Sequence, residues 1–223
     1  SSEELTLIRN LVKETSVHAV IGIIEKSAGT LFCCTATISP EGEVVTWHRK
    51  LMPTAMERVI WGQGDGSTMK VAETPLGKIS TAICWENYMP LYRYHLYQQG
   101  SQIHCVPTVD DRDVWLPTMQ TVALEGRCFV ISACQFMTLE DVKADWFEPV
   151  HGTKPETVLI RGGSCIVSPL GDVLAAPVFG KEAIVTAEID LNEITRGKFD
   201  LDITGHYSRP DVFALSVDTS LKQ

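Results

Sequence analysis

The stretch ISTAICWENYMPLYRYHLYQQG, residues 79–100, joins a short apolar segment to a helical pattern through a single cysteine. Residues 79–84 predict a strand that ends at Cys84, and residues 90–99 predict a helix that a glycine stops. Residues 102–106 then predict a second strand. Strand–helix–strand spacing of this kind favours layers of α/β structure over an all-β sandwich.

The pattern of helices and strands continues on both sides of this stretch. Further helices are predicted from apolar spacing at 2–15, 116–126 and 191–196. Further strands are predicted at 19–25, 31–39, 44–48, 128–134, 165–168, 173–175 and 184–189. The polar residues 136–160 indicate a long loop, and residues 197–223 indicate a C-terminal tail. Without an internal repeat or a linker, residues 1–223 are expected to form one domain.

Charge and hydropathy argue against two broad classes of function. The net charge of −9 disfavours binding to nucleic acid and to anionic membranes, because such surfaces need clustered Lys and Arg. The longest apolar runs are far shorter than the roughly 18 residues of a membrane span. No basic segment followed by an apolar one opens the sequence, so no secretory signal is predicted.

The seven cysteines are an odd number, and no two of them have CxxC spacing. This pattern supports neither a disulfide framework nor a zinc site. Most of them lie in apolar segments, where cysteine packs as a small hydrophobic residue. We therefore expect a reducing compartment, the cytosol, and at most one cysteine with a chemical role.

Cys84 is the cysteine with the strongest indication of chemistry. It follows a predicted strand and precedes a predicted helix, and a nucleophile at such a turn is exposed to substrate. Backbone N–H groups after it can point at a developing negative charge, and a nearby helix N-terminus favours the thiolate. On the local pattern alone, a buried structural cysteine is the more common alternative.

Two longer segments accompany Cys84 and change that balance. They are HRKLMPTAMER at 48–58, followed by WGQGDG at 61–66, and CWENYMP at 84–90. Shorter segments follow in order: ALEGRC at 123–128, RGGS at 161–164 and GHYSRPD at 205–211. Together they resemble the nitrilase branch of the carbon–nitrogen hydrolase superfamily over essentially the whole chain. The resemblance implies that Cys84 is the nucleophile, Lys50 the catalytic lysine and Glu57 an auxiliary glutamate.

These residue types suit attack on a nitrile or amide carbon, which is a weak electrophile. A thiolate must attack it while a cation stabilises the atom that gains negative charge, and the compact ammonium of Lys50 suits that role. Glu57 would orient Lys50 or water. The alternatives are a solvated lysine at a strand end and a surface carboxylate.

Aromatic residues near Cys84 are candidates for the substrate pocket. Trp85 is expected to act through its backbone N–H, and Tyr88, Trp115 and residues 110–113 are expected to shape the pocket, with an ordinary loop as an equally good alternative. Glu86 is expected to bind backbone groups as a buried carboxylate. None of the six histidines lies in a motif that pairs it with Cys84, and His48, which precedes Lys50 in the family motif, is expected to be a supporting hydrogen-bonding residue.

The sequence departs from the family pattern in one respect. Family members carry a general-base glutamate in a motif like FPE before the first helix, and no such motif is present. The glutamates before Lys50 fall on the first helix, in a turn or at a strand end: Glu3, Glu4, Glu14, Glu25, Glu41 and Glu43. The chain is therefore expected to be N-terminally incomplete, and inactive or impaired in isolation.

The resemblance implies an α-β-β-α sandwich that becomes four-layered across a dimer, with the helices at 90–99 and 116–126 as the dimer surface and larger spiral oligomers beyond it. It implies a nitrile substrate, water, a thioimidate and then a thioester on Cys84, and neither a metal nor an organic cofactor. Trp85-Glu86 after Cys84 favours nitrilase over amidase. A cyanide-hydrating enzyme, an amidase and a non-catalytic assembly partner remain alternatives.

Overall fold

The computed structural model describes residues 2–142 and 152–222. Its α-helices are α1 (Glu3–Thr15), α2 (Pro90–Gln98), α3 (Trp115–Gly126) and α4 (Asn192–Lys198). Its strands are β1 (Ala19–Ser27), β2 (Thr30–Ile38), β3 (Val44–Arg49), β4 (Ala72–Thr74), β5 (Gly77–Thr81), β6 (Ile103–Thr108), β7 (Phe129–Cys134), β8 (Phe136–Thr138), β9 (Val158–Arg161), β10 (Cys165–Val167) and β11 (Val173–Ala175).

The first sheet is an antiparallel meander in the order β1-β2-β3. Side chains alternate across it, so the two faces contact different layers. One face packs against Val12 of α1 through Ile21, Ile23, Ala36 and Ile38. The opposite face of β1 presents Val20 to the buried residues of the second sheet. The first sheet is therefore covered on both sides.

The second sheet has the order β11-β10-β7-β6-β5-β4. Its centre, β5-β6-β7, is parallel, because α2 and α3 carry the chain back between these strands. Helix α3 packs Met119 and Val122 against Val106 of β6 and Val130 of β7. Helix α2 packs Leu96 in a neighbouring cluster. A helix layer, two facing sheets and a second helix layer follow one another, and the predicted α-β-β-α sandwich is confirmed.

Two predicted strands differ from the structure. The strand predicted at 79–84 ends at Thr81, because the N–H of Ile83 is bonded to a side chain, at 2.7 Å from Glu86 Oε2, rather than to a neighbouring strand. The segment at 184–189 forms no strand among the described residues: Ile184 and Val185 line a cavity, and Ile189 packs against the buried cluster of Ala72, Ile79 and Ile103. Ile184 itself is 94% exposed.

The ends of the predicted long loop and of the tail are also structured. The loop predicted at 136–160 lies partly outside the described residues, and its described ends form the antiparallel pair β8-β9. Helix α4 runs past the predicted start of the tail at residue 197. Further on, Val217 packs against the α2 cluster, and the N–H of Lys222 donates to Asp65 at 2.8 Å. No helix in the described ranges has the length and apolar character to cross a membrane.

Candidate active site

Cys84 occupies an unusual backbone conformation at the carboxyl end of β5. It begins a 3-10 turn, Cys84–Tyr88, and its φ is 50°, in the left-handed region. A residue with a Cβ pays roughly 1 kcal/mol or more in this region, so its surroundings must hold it there. Asn87 does so by donating from Nδ2 to the carbonyl oxygens of Cys84, at 2.8 Å, and of Ala82, at 3.2 Å.

A buried chain of hydrogen bonds fixes Asn87 in turn. Its Oδ1 can only accept, so His104 donates to it from Nε2 at 2.9 Å. The Nδ1 of a neutral His104 then accepts from the hydroxyl of Ser80 at 2.7 Å, and Ser101 donates to Ser80. Burial, with a smaller contribution from Arg93, lowers the pKa of His104 to about 3. The histidine therefore stays neutral, and every hydrogen bond in the series from Ser101 to Asn87 is donated in the same direction.

The neutral state of His104 predicts a loss of stability in mild acid. The unfolded chain takes up a proton near pH 6.5 and the folded chain only near pH 3, so the free energy of unfolding should fall as pH drops through that window. This residue alone should contribute a loss of about 2 kcal/mol between pH 7 and pH 5. Urea unfolding of the wild type and of His104→Gln at both pH values measures it.

Between pH 7 and pH 5, the free energy of unfolding of His104→Gln should fall by about 2 kcal/mol less than that of the wild type. His206 is exposed, and His206→Gln serves as the matched control for the loss of a histidine outside the core. Equal pH dependence in wild type and His104→Gln would contradict the assignment of a neutral, buried His104.

The sulfur of Cys84 contacts a residue that the sequence did not indicate. Thr108, at the end of β6, donates from Oγ1 to Cys84 Sγ at 3.2 Å. The Thr108 hydroxyl also accepts from the N–H of Asp110 at 2.9 Å, which directs its hydrogen towards the sulfur. Cys84 is only 6% exposed. The sulfur of Cys84 therefore accepts a hydrogen bond from a hydroxyl in a nearly closed environment.

Lys50 follows the last residue of β3 and is buried with its side chain 1% exposed. Its Nζ donates to Glu57 Oε2 at 2.7 Å and to Thr54 Oγ1 at 3.0 Å. Glu57 lies in a 3-10 turn at Ala55–Val59 and also accepts from the N–H of Thr54 at 2.6 Å. A buried ammonium needs such a partner, and the carboxylate supplies it.

Cys84, Lys50 and Glu57 line one cavity of about 900 Å³ between the two sheets. The structure thus brings the three predicted residues together, while their catalytic roles stay a prediction. Much of the remaining wall is apolar, including Val20, Ile24, Val109, Ala133, Phe136, Val178, Ile184 and Val185. A cavity with a few polar groups on an apolar wall is typical of a small-molecule site.

Glu86 and His48 have the structural roles predicted for them. The Glu86 carboxylate is fully buried and accepts from the N–H groups of Leu51 and Ile83, each at 2.7 Å. His48 Nε2 lies 3.1 Å from both of its oxygens. Glu25, the glutamate that the sequence places at a strand end, does not line this cavity, and hydrogen bonds from Arg49 lower its pKa to about 2.

The three aromatic residues predicted to bind substrate do not line this cavity. Trp85 and Trp115 each lie 6.0 Å from Tyr88, ring centre to ring centre, in an edge-on cluster. The indole N–H of Trp85 donates to Asp110 at 2.7 Å, and that of Trp115, which is 2% exposed, donates to Ser132 at 2.9 Å. The three side chains, of which only that of Trp115 is buried, therefore contact one another rather than the cavity, and the predicted roles of these residues towards substrate stay predictions.

The other loop residues predicted to shape the pocket lie with this aromatic cluster. Residues 110–113 line a separate cavity of about 240 Å³ together with Trp115. Arg112 donates to Asp110 at 2.7 Å, and Arg161 donates to Asp113 at 2.7 Å. These ion pairs hold the loop in place beside the larger cavity.

Other thiols surround the cavity but differ from Cys84 in environment. Burial raises the pKa of Cys33 to about 11 and that of Cys134 to about 12, so both remain thiols at neutral pH. Both line the cavity with Cys84. In the described part of the chain, no group of three or more His, Cys, Asp or Glu side chains is arranged to hold a metal ion.

Comparison with known proteins places this geometry in a family. Residues 1–199 match the carbon–nitrogen hydrolase family. The chain is 57% identical to a nitrilase of Bradyrhizobium diazoefficiens over 99% of its own length and 68% of the relative's. It is 52% identical to an arylacetonitrilase of Trametes versicolor, over 95% of the chain and 70% of the relative. It is 46% identical to nitrilase 2 of Arabidopsis thaliana, over 99% of the chain and 66% of the relative.

Solved structures agree with the fold. The C. elegans NitFhit protein superposes with a TM-score of 0.80 at 19% identity, over 99% of this chain and 53% of that one. A carbon–nitrogen hydrolase of Helicobacter pylori superposes with a TM-score of 0.75 at 20% identity, over 89% and 70%. The chain spans about two thirds of the length of the relatives it matches in sequence. It belongs to the carbon–nitrogen hydrolase family, in the nitrilase branch.

Proposed function

We propose that the chain hydrolyses the carbon–nitrogen triple bond of an organic nitrile, with Cys84 as nucleophile, Lys50 as electrostatic stabiliser and Glu57 as the partner that orients Lys50. The observation that carries the proposal is the single cavity that the thiol, the ammonium and the carboxylate share. Identities of 46–57% to proteins named as nitrilases support nitriles as the substrate class.

In the first step the Cys84 thiolate attacks the nitrile carbon. A carbon–sulfur bond forms, one π bond of the nitrile breaks, and the nitrogen takes up a proton to give a thioimidate. The ammonium of Lys50 stabilises the charge that develops on that nitrogen. Thr108, whose hydroxyl lies 3.2 Å from the sulfur, stabilises the thiolate before attack.

In the later steps two waters complete the hydrolysis. The first adds to the thioimidate carbon and ammonia leaves, which gives a thioester. The second releases the carboxylic acid and restores the thiol. The family resemblance assigns activation of these waters to a glutamate that none of the glutamates before Lys50 matches. Attack by a Cys84 thiolate needs no activated water, so thioimidate formation is the step that tests the proposal most directly.

The test is an intact-mass measurement of the chain after incubation with a panel of aromatic, arylaliphatic and aliphatic nitriles, cyanide and the matching amides. At least one organic nitrile should add its own mass to the chain, and Cys84→Ala should show no adduct. Ammonia release is measured in parallel. An acyl adduct from amides alone would replace the nitrile assignment with an amidase. No adduct and no ammonia above the Cys84→Ala background would contradict the proposal and favour the non-catalytic alternative.

We further propose that the outer faces of α2 and α3 form a dimer surface, so that two copies make four layers and larger assemblies grow from that dimer. Leu91 on α2 is 69% exposed and Leu124 on α3 is 40% exposed, which supports an apolar contact there. Sedimentation of the chain tests it. The seven cysteines are all free, which supports a reducing, cytosolic location.

A further inference from the structure

Glu86 holds two segments of the chain through their backbones. Oε1 accepts from the N–H of Leu51 and Oε2 accepts from the N–H of Ile83, each at 2.7 Å. The side chain has no solvent exposure, so both oxygens depend on protein donors. Hydrogen bonds to a carboxylate are among the stronger ones in proteins, and a buried carboxylate that loses one is left unsatisfied.

The two donors adjoin the two residues proposed for chemistry. Leu51 directly follows Lys50, at the end of β3 in the first sheet. Ile83 directly precedes Cys84, after β5 in the second sheet. The Glu86 carboxylate therefore links the ends of strands from different sheets. It binds the backbone one residue away from Lys50 in the first sheet and one residue away from Cys84 in the second.

The groups that surround the Glu86 side chain are hydrogen-bond donors. Tyr92 donates its hydroxyl to the carbonyl of Thr81 at 2.8 Å, so towards His48 Nε2, at 3.2 Å, it accepts. The proton of His48 therefore lies on Nε2, between Tyr92 and the two oxygens of Glu86. Glu86 faces donors on every side, and an amide in its place would set an NH₂ group against one of them.

We propose that Glu86 is a positioning residue that fixes the separation of the Cys84 sulfur and the Lys50 ammonium. The inference rests on the proposed function for the roles of those two residues. It adds that their spacing is set by a third side chain that need not touch substrate. A positioning role and a merely stabilising role differ in what they do to the reactivity of the thiol.

The test measures alkylation of Cys84 by iodoacetamide as a function of pH, followed by peptide mass spectrometry so that the other cysteines are read separately. A nearby ammonium stabilises a thiolate, so alkylation in the wild type should persist to lower pH than in Lys50→Met. Glu86→Gln should move the midpoint of the rate profile upward by about one pH unit, which is about tenfold in thiolate at pH values below the midpoint.

A double variant separates positioning from stabilisation. If Glu86 acts through the spacing of Lys50 and Cys84, then Glu86→Gln added to Lys50→Met should shift the midpoint no further. Glu86→Asp keeps the charge and is short by one methylene, so its shift should lie between wild type and Glu86→Gln. Because it conserves the carboxylate, it is the variant to rely on if Glu86→Gln fails to fold by circular dichroism.

The matched control is Glu25→Gln. Glu25 lies on β1 and accepts from Arg49 of β3. Its side chain is on the face of the first sheet that points away from Lys50 and the cavity. Its loss should lower stability and leave the alkylation midpoint in place. An equal shift in Glu25→Gln, or additive shifts in the double variant, would overturn the proposal. If Glu86→Gln shifts the alkylation midpoint of Cys84 but no nitrile forms an adduct, the proposed function is contradicted and the positioning role of Glu86 is not.

Discussion

Replacing Cys84 by serine should lower the rate of nitrile adduct formation by at least about 10⁴-fold, as expected when a covalent nucleophile is lost. A thiol ionises readily near neutral pH, whereas a serine hydroxyl needs a general base beside it. The two buried histidines nearest this turn already have partners: His104 donates to Asn87, and His48 contacts Glu86. Neither is available to take the proton of a serine at this position.

The serine variant should still fold. Oxygen is smaller than sulfur, and a serine hydroxyl can keep a hydrogen bond with Thr108. Circular dichroism checks the fold, and intact mass with ammonia release measures the chemistry. Cys33→Ser and Cys134→Ser are the matched controls, because both residues line the same cavity but have pKa values raised to about 11 and about 12 by burial. Loss of the adduct in either control, with its retention in Cys84→Ser, would move the nucleophile elsewhere.

Replacing Lys50 by methionine should slow thioimidate formation by roughly 10²- to 10³-fold, the usual cost of removing one group that stabilises developing charge. Methionine has a similar length and can occupy the same buried space, so the loss reports the missing charge. The variant also leaves the carboxylate of Glu57 without its ammonium partner at 2.7 Å. Quenched-flow mass spectrometry of the adduct, over a range of nitrile concentrations, separates the rate of attack from binding.

Arginine should not restore the rate in Lys50→Arg. A planar guanidinium is larger than an ammonium and cannot take the place of a side chain that is 1% exposed. Lys78→Met is the control, because Lys78 pairs with Glu73 and its side chain is 42% exposed outside the cavity. A rate of adduct formation within about twofold of wild type in Lys50→Met would remove Lys50 from the proposed mechanism.

The sequence predicted those parts of the site that depend on local motifs. Lys50 and Glu57 are seven residues apart, and a 3-10 turn brings their side chains into contact. The layered fold also followed from strand and helix patterns, because each parallel strand of the second sheet carries its crossover helix beside it. The sequence also predicted Glu86 as a buried carboxylate that binds backbone groups, and the structure shows it bonded to two backbone N–H groups.

The residues that the sequence missed act over long separations. Thr108 is 24 residues from Cys84, and His104 is 17 residues from Asn87. Parallel pairing of β5 and β6 brings both to the turn at Cys84, and no short pattern encodes that pairing. Trp115 was assigned to the pocket because it lies near a strand end, whereas its indole is directed into the core by the start of α3.

Lys50 follows a strand of one sheet and Cys84 follows a strand of the other, so the proposed chemistry depends on how tightly the two sheets pack against each other. Within each sheet, backbone hydrogen bonds hold the strands together. Mild chaotropes or pressure should loosen the contact between layers at lower doses than they melt either layer, since side-chain packing yields before the hydrogen-bonded ladders within the sheets. Inactivation would then precede any loss of ellipticity. Substitutions that improve side-chain packing between the two sheets should therefore preserve activity under denaturing conditions better than substitutions that stabilise the outer helices.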